Sequence, residues 1–216
     1  MYLSRVEIDY ENRLALKELN HLGAFHNWVE QSFPEEFKNN ERKRKLWRID
    51  RLKSKNYLLI VSEDKPIIEK LEKYGVKGTA ETKDYDEFLN KLENEDRMVF
   101  RVVLNPNKSI SDRSLKRGRV VPLLKEDEQF KYLIDRSEKN GFSLESKDFY
   151  ILKSNFETLY KPNGFKLDLI KAEYQGELTI TDVEKFKIAL TTGIGKKKAY
   201  GFGMMTVLPL SKWKNK

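Results

Sequence analysis

The stretch RMVFRVVL, residues 97–104, is a nearly continuous apolar strand that follows a highly charged segment, residues 84–96. It restarts a strand–helix cycle already completed once before it. Upstream, residues 3–9 read as a strand with Val6 and Ile8 on one face. A helical region spans about residues 12–32 and is interrupted near Asn20, a candidate N-cap for the second piece, whose first turn Gly23 weakens. Leu22, Phe25, Val29 and Phe33 recur at spacings of three and four, an apolar stripe that Pro34 ends. Residues 46–62, LWRIDRLKSKNYLLIVS, predict a hairpin turning near residues 53–56. A short helix at 66–73 and a weak strand at 76–82 complete the first cycle.

Downstream of residue 104 the pattern predicts a strand at 119–124, a helix at 126–139 and β-rich runs at 148–158, 165–174 and 175–181. Asp182 caps a helix to about Thr191, and MMTVLPL supplies the last strand. Each half approximates β-α-β-β-α-β, the split βαβ arrangement, in which two helices cover one face of a four-stranded antiparallel sheet. The predicted class is α+β with two such units, residues 1–88 and 96–216. The open faces of related modules cradle nucleotides, and two units leave a cleft between their sheets.

Just before the last strand stands GIGKKKAYGFG, residues 193–203. Gly193, Gly195, Gly201 and Gly203 frame Lys196, Lys197 and Lys198. Glycine permits positive φ and close backbone approach, and lysine adds compact charge, a combination suited to a polyanion against exposed N–H groups. A solvated basic loop closing a strand pair is the other reading. The net charge of +8 arises from 42 basic and 34 acidic residues among 216. Its placement is uneven: residues 101–125 hold seven basic residues against Asp112, and from Lys196 onward there are six lysines and no acid. Such clustering favours nucleic acid or an anionic membrane surface. No apolar run approaches the ~20 residues that span a bilayer, and the amino-terminal MYLSRVEIDY lacks a signal peptide's apolar stretch. The absence of cysteine excludes disulfides and thiolate metal sites and fits a cytoplasmic location. With only His21 and His26, a multi-histidine metal centre is nearly impossible; a carboxylate magnesium site stays conceivable, although no tight acidic cluster falls on a strand end.

Eight segments in order along the chain carry a resemblance: MYLSRVEI at the start, FHNWVEQSFP (25–34), RKLWRID (44–50), YLLIVS (57–62), FRVVLNPNKS (100–109), RGRVVPLLKEDEQ (117–129), GELTITD (176–182) and GIGKKKAYGFGMMTV (193–207). Together they resemble the CasE-type CRISPR repeat endoribonucleases, a branch of the RAMP superfamily. The resemblance implies tandem ferredoxin-like, RRM-like domains with antiparallel sheets. It implies metal-independent cleavage of CRISPR precursor RNA at the base of the repeat stem-loop, without cofactor. It also implies that the protein is a monomer when free, stays bound to the crRNA, and joins the other subunits of a type I-E Cascade complex. A non-catalytic RNA-binding RAMP subunit is the alternative, which would have no use for a catalytic histidine.

Metal-free RNA cleavage uses the neighbouring 2′-hydroxyl as nucleophile and leaves a 2′,3′-cyclic phosphate and a 5′-hydroxyl. Imidazole suits the proton transfers because its ordinary pKa, about 6.5, lies near working pH. His26, at the edge of the apolar stripe, falls on the family's catalytic histidine within FHNWVEQSFP. His21, about 140° around a helix from it, reads as a surface or turn residue. Some relatives carry a tyrosine where this chain has Gly23, and others a lysine where it has Gln31, so the second proton carrier is unassigned. The run ERKRK (41–45) reads as a solvated turn that could lend a cation. For RNA binding, Arg117 and Arg119 match the family's basic hairpin and alternate on one strand, Lys108 and Lys116 extend that track, and Lys196, Lys197 and Lys198 hold phosphates. Tyr200 and Phe202 are stacking candidates or core.

Overall fold

The first sheet begins with β1 (Tyr2–Glu7), in which Ser4 and Val6 face inward and Arg5 faces solvent, the period of two expected of a half-buried strand. The structure, a computed structural model, describes residues 1–111, 119–160 and 164–213, apart from the side chains of residues 14–16. After β1 come three helices, α1 (Arg13–Glu18), α2 (Leu22–Gln31) and α3 (Pro34–Lys38), the last started by a proline whose fixed φ suits a first helical position. Leu22, Phe25, Trp28 and Val29 form the buried stripe of α2. Its N-cap is His21 and not Asn20: the His21 Nδ1 accepts the Gly23 N–H at 3.0 Å. The Asn20 amide donates instead to the Lys17 carbonyl at 3.1 Å, which closes the end of α1.

Next, β2 (Leu46–Leu52) and β3 (Lys55–Ser62) form the predicted hairpin, with Lys53 in the left-handed region at its turn (φ 57°). Helix α4 (Ile68–Leu71) and β4 (Glu81–Asp84) follow. The weak strand expected at 76–82 is thus displaced toward residue 84. The intervening backbone is held by the buried Glu72, whose Oε1 accepts from Gly78 and Ala80 at 2.7 and 3.1 Å. The sheet order is β2-β3-β1-β4 with every pair antiparallel, the split βαβ topology of a ferredoxin-like unit. The charged segment that follows holds α5 (Asp86–Leu89), and its apolar residues Tyr85, Leu89 and Leu92 join the core of the second half.

That second half contains β5 (Arg97–Leu104), β6 (Asn107–Ile110), β7 (Arg119–Pro122), α6 (Glu126–Ser137), β8 (Phe142–Ser143), β9 (Phe149–Tyr160), β10 (Lys166–Ile180), α7 (Val183–Thr192), β11 (Met205–Pro209) and α8 (Leu210–Trp213). Its sheet runs β11-β5-β10-β8, with β9 also paired to β10, which repeats the first unit's topology. One expectation needs correction. The runs at 165–174 and 175–181 are a single 15-residue strand, continuous through Gly176. The strand from residue 119 pairs with β6 in a separate two-stranded ribbon, Arg119 opposite Ile110. Among the described residues, no helix is long and apolar enough to cross a membrane.

The two halves share their cores. Leu46 and Val61 of the first sheet pack with Phe100, Tyr174 and Phe186, while Leu159 and Leu169 of the β9–β10 hairpin pack with α2 residues. One buried guanidinium ties the sheets directly. Arg48 on β2 uses all five N–H donors. Two go to the Asp50 carboxylate (2.6 and 2.7 Å), and the others go to the Arg101 carbonyl (2.7 Å), the Met204 carbonyl (2.9 Å) and the Thr206 hydroxyl (2.7 Å). Truncating it leaves the buried Asp50 carboxylate without its partner and removes three further bonds between the sheets. Arg48→Ala is therefore expected to lower the unfolding free energy by about 3–5 kcal/mol, read as a shift of the urea midpoint by circular dichroism.

Candidate active site

The glycine-rich loop is shaped by contacts that leave no room for side chains. Helix α7 ends at the buried Gly193, whose N–H donates to the Ala189 carbonyl at 2.9 Å. The Ile194 N–H then donates to the Gly203 carbonyl (2.9 Å), and the Gly203 N–H to the Val103 carbonyl on β5 (2.7 Å), pinning both ends of the loop to the second sheet. At Gly203 φ is +89° and a Cβ would lie 2.4 Å from the Ile194 carbonyl oxygen. At Gly201 φ is +81° and a Cβ would lie 2.7 Å from the Trp47 ring. Trp47 also donates its indole N–H to the Ala199 carbonyl at 2.9 Å. Between these anchors Lys197 takes the left-handed conformation (φ 64°) and starts a single 3₁₀ turn, Lys198–Tyr200.

His26 faces this loop. It is half-buried on α2, and its ring meets Tyr200 edge-on, with centroids 5.5 Å apart and planes at 63°. A cleft of about 620 Å³ lies between the two halves, with His26 and Glu30 from α2, residues 42–45 ahead of β2, and Gly195, Lys196, Lys197, Lys198 and Ala199 on its walls. Burial holds the His26 pKa below the ordinary imidazole value. Glu30 opposes that shift, while Lys45 and Arg42 add to it. The neighbouring helix residue Phe25 stacks on Trp47 at 5.9 Å, so the histidine helix and the lysine turn are both set against one indole.

The run at 41–45 is a wall of the cleft and not a solvated turn. Its residues alternate in role. Lys43 pairs with Asp64 at 2.9 Å, and the buried Lys45 pairs with Glu36 at 2.5 Å and Glu30 at 3.4 Å. Arg42 and Arg44 remain exposed, Arg42 lying 5.0 Å over the Phe37 ring and Arg44 reaching the Thr192 carbonyl at 3.4 Å. This alternation was hidden in the sequence because the counter-ions, Glu30, Glu36 and Asp64, come from other elements. Lys198 is partly desolvated, and burial, then Arg44, pushes its pKa down.

The remaining expected residues are placed as follows. Lys196 is exposed and borders two further clefts. One, of about 420 Å³, also takes in Lys108, which is exposed but paired with Glu128 at 2.9 Å. Arg119 is exposed on β7. Lys116 and Arg117 lie outside the described residues. Phe202 is core, 1% exposed, and is no stacking platform, whereas Tyr200 reaches the histidine. At Gly23 a Cβ would lie 3.0 Å from the His21 Nδ1 and crowd the helix cap. Gln31 is exposed at the end of α2. Among the described residues no three carboxylate or imidazole side chains gather as a metal site would need.

Two ferredoxin-like units in tandem, joined at a basic cleft, define the class. Residues 1–209 match the family described as CRISPR associated protein, and the chain belongs to that family. It is 24% identical over 220 residues to the CRISPR-associated endoribonuclease Cse3 of Thermus thermophilus, a likeness covering 97% of this chain and 100% of the relative. The fold is similar to that of Thermus thermophilus Cse3 bound to an RNA representing a pre-cleavage complex, with a TM-score of 0.78, 24% identity, and 96% and 98% of the two chains covered. It is also similar to that of the CRISPR-associated protein Cas6e from Escherichia coli K-12, with a TM-score of 0.69, 23% identity, and 97% and 100% covered.

Because Gly203 combines positive φ with backbone contact, Gly203→Ala is expected to destabilise the protein by about 1–3 kcal/mol. A lowered thermal midpoint checks this, and an unchanged midpoint would show that the loop is not pinned there.

Proposed function

We propose that this protein is a metal-independent endoribonuclease that cuts CRISPR precursor RNA at the base of the repeat stem-loop and stays bound to the crRNA. The observation that carries the reading is His26 facing the Lys196–Lys198 loop across a cleft with Arg42 and Arg44 on its rim. The family and the Cse3 and Cas6e likenesses support it. Two units, residues 1–88 and 96–216, meet at this cleft; the protein acts in the cytoplasm, as a monomer before it joins other Cascade subunits.

The chemistry follows from the geometry. Neutral imidazole is the form that can accept a proton, and the depressed pKa keeps His26 in that form at pH 7. His26 takes the 2′-hydroxyl proton, and O2′ attacks the adjacent phosphorus in line with the departing 5′-oxygen. The developing phosphorane charge lies among cations fixed in a partly desolvated cleft, where electrostatic stabilisation is strongest. Lys108, Lys116, Arg117, Arg119, Lys196 and Lys197 hold the phosphates of the hairpin, whose A-form shape is read chiefly through its backbone.

A single assay tests this reading. Wild-type protein is expected to cut a hairpin repeat RNA in excess chelator, and His26→Ala to bind it normally while cutting about 10²–10⁴-fold more slowly. Undiminished cutting by the variant, or strict magnesium dependence, overturns the reading. A titration tests the electrostatics separately. With two histidines in the chain, the His26 ring proton can be followed by NMR against pH. Its midpoint is expected below about 6.5, and Arg42→Gln, by removing a neighbouring cation, moves it upward.

A further inference from the structure

The cleft offers His26 as one proton carrier and leaves the second to be found. Its other ionisable groups divide by chemistry. Arg42 and Arg44 do not surrender a proton in proteins. Lys43 is held protonated by Asp64, and Lys45 is buried between Glu36 and the cleft residue Glu30, which is thereby engaged in an ion pair. Lys196 is exposed to solvent, and Lys197 serves as the left-handed residue that starts the 3₁₀ turn. Lys198 differs from all of these. It is partly desolvated, its pKa is lowered by burial and by Arg44, and no carboxylate pairs with it among the described residues. Burial with a like charge is the environment that turns a lysine into a proton carrier.

Position supports the same residue. Lys198 opens the turn that ends in Tyr200, whose ring touches that of His26. The turn is clamped by the Trp47 indole, which donates to Ala199 and stacks on Phe25, the residue before the histidine. Lys198 and His26 are therefore presented to one cleft by two segments that share a rigid support.

Resting on the endoribonuclease reading, we propose that Lys198 is the general acid of the cleavage: its ammonium protonates the departing 5′-oxygen while His26 takes the 2′-hydroxyl proton. The O2′–P bond forms, the P–O5′ bond breaks, and one proton moves at each end. His26 is left as imidazolium and Lys198 as the amine, and exchange with water restores both. This assignment supplies from the glycine-rich loop the group that Gly23 and Gln31 do not provide on α2.

The test is a change of leaving group. A hairpin RNA carrying sulfur in place of the 5′-bridging oxygen, at the phosphate the wild-type protein cuts, departs as a thiolate, which needs no proton near neutral pH. Single-turnover rates are measured at saturating enzyme for both substrates, with saturation checked by gel shift. Lys198→Met is expected to lose about 10²–10⁴-fold on the oxygen substrate and to cut the sulfur substrate within a few-fold of wild type, whereas His26→Ala is slow on both. An equal loss by Lys198→Met on both substrates, or wild-type rates on the oxygen substrate, overturns the proposal. Wild-type protein that cuts neither substrate overturns the endoribonuclease reading beneath it.

Discussion

A guanidinium buried between two sheets has to find a partner for each of its N–H groups, and Arg48 finds all of them. Its carboxylate partner comes from its own strand and its other acceptors from the opposite half. The relative placement of the two units is thereby fixed by directional bonds as well as by apolar packing. One residue earlier on the same strand, Trp47 lies between Phe25 and the loop at Gly201. A single short strand therefore sets the spacing of the sheets on one side and of the cleft walls on the other. Loss of the Arg48 bonds would loosen the cleft even though Arg48 does not line it.

The electrostatics of the cleft depend on which cations are neutralised. Lys43 and Lys45 are bound to carboxylates and act as struts that hold the segment ahead of β2. Arg42, Arg44 and Lys198 have no carboxylate partner among the described residues and favour an anion in the cleft, while burial, with Lys45 and Arg42, keeps the His26 imidazole neutral before one arrives. In the proposed reaction, an incoming phosphate would partly cancel those cations and favour the imidazolium, the direction of charge that a base acquires. On the proposed reading, the geometry that binds the RNA phosphate also prepares the base.

Most of the fold was legible in the amino-acid sequence because local rules and packing agreed. The apolar stripe of α2, the β2–β3 hairpin, β5 and the Asp182 cap of α7 all lie close to where their patterns put them. The failures have particular causes. His21 displaced Asn20 as cap because an imidazole nitrogen can accept from an N–H two residues on, which residue-type statistics at caps do not weigh. The runs at 165–174 and 175–181 merged because β10 pairs with both β9 and β5 through Gly176, a continuity set by the neighbouring strands. Tyr85, Leu89 and Leu92 lay in a charged segment whose few apolar residues found the neighbouring core.

By itself the sequence determined two strand–helix cycles, a concentration of basic residues toward the second half, a loop whose glycines and lysines alternate function, and a histidine on the edge of an apolar stripe. These are properties of near neighbours in the chain, and periodicity and residue chemistry reveal them. Tertiary structure alone decided that His26 meets Tyr200, that Phe202 belongs to the core, that residues 42–45 form a wall, and that Lys198 loses solvent while Lys196 keeps it. Each of those outcomes depends on groups more than a hundred residues apart, or on carboxylates and an indole supplied by other elements. Desolvation and charge pairing are set by what surrounds a side chain, and the surroundings exist only once the two halves have closed on one another.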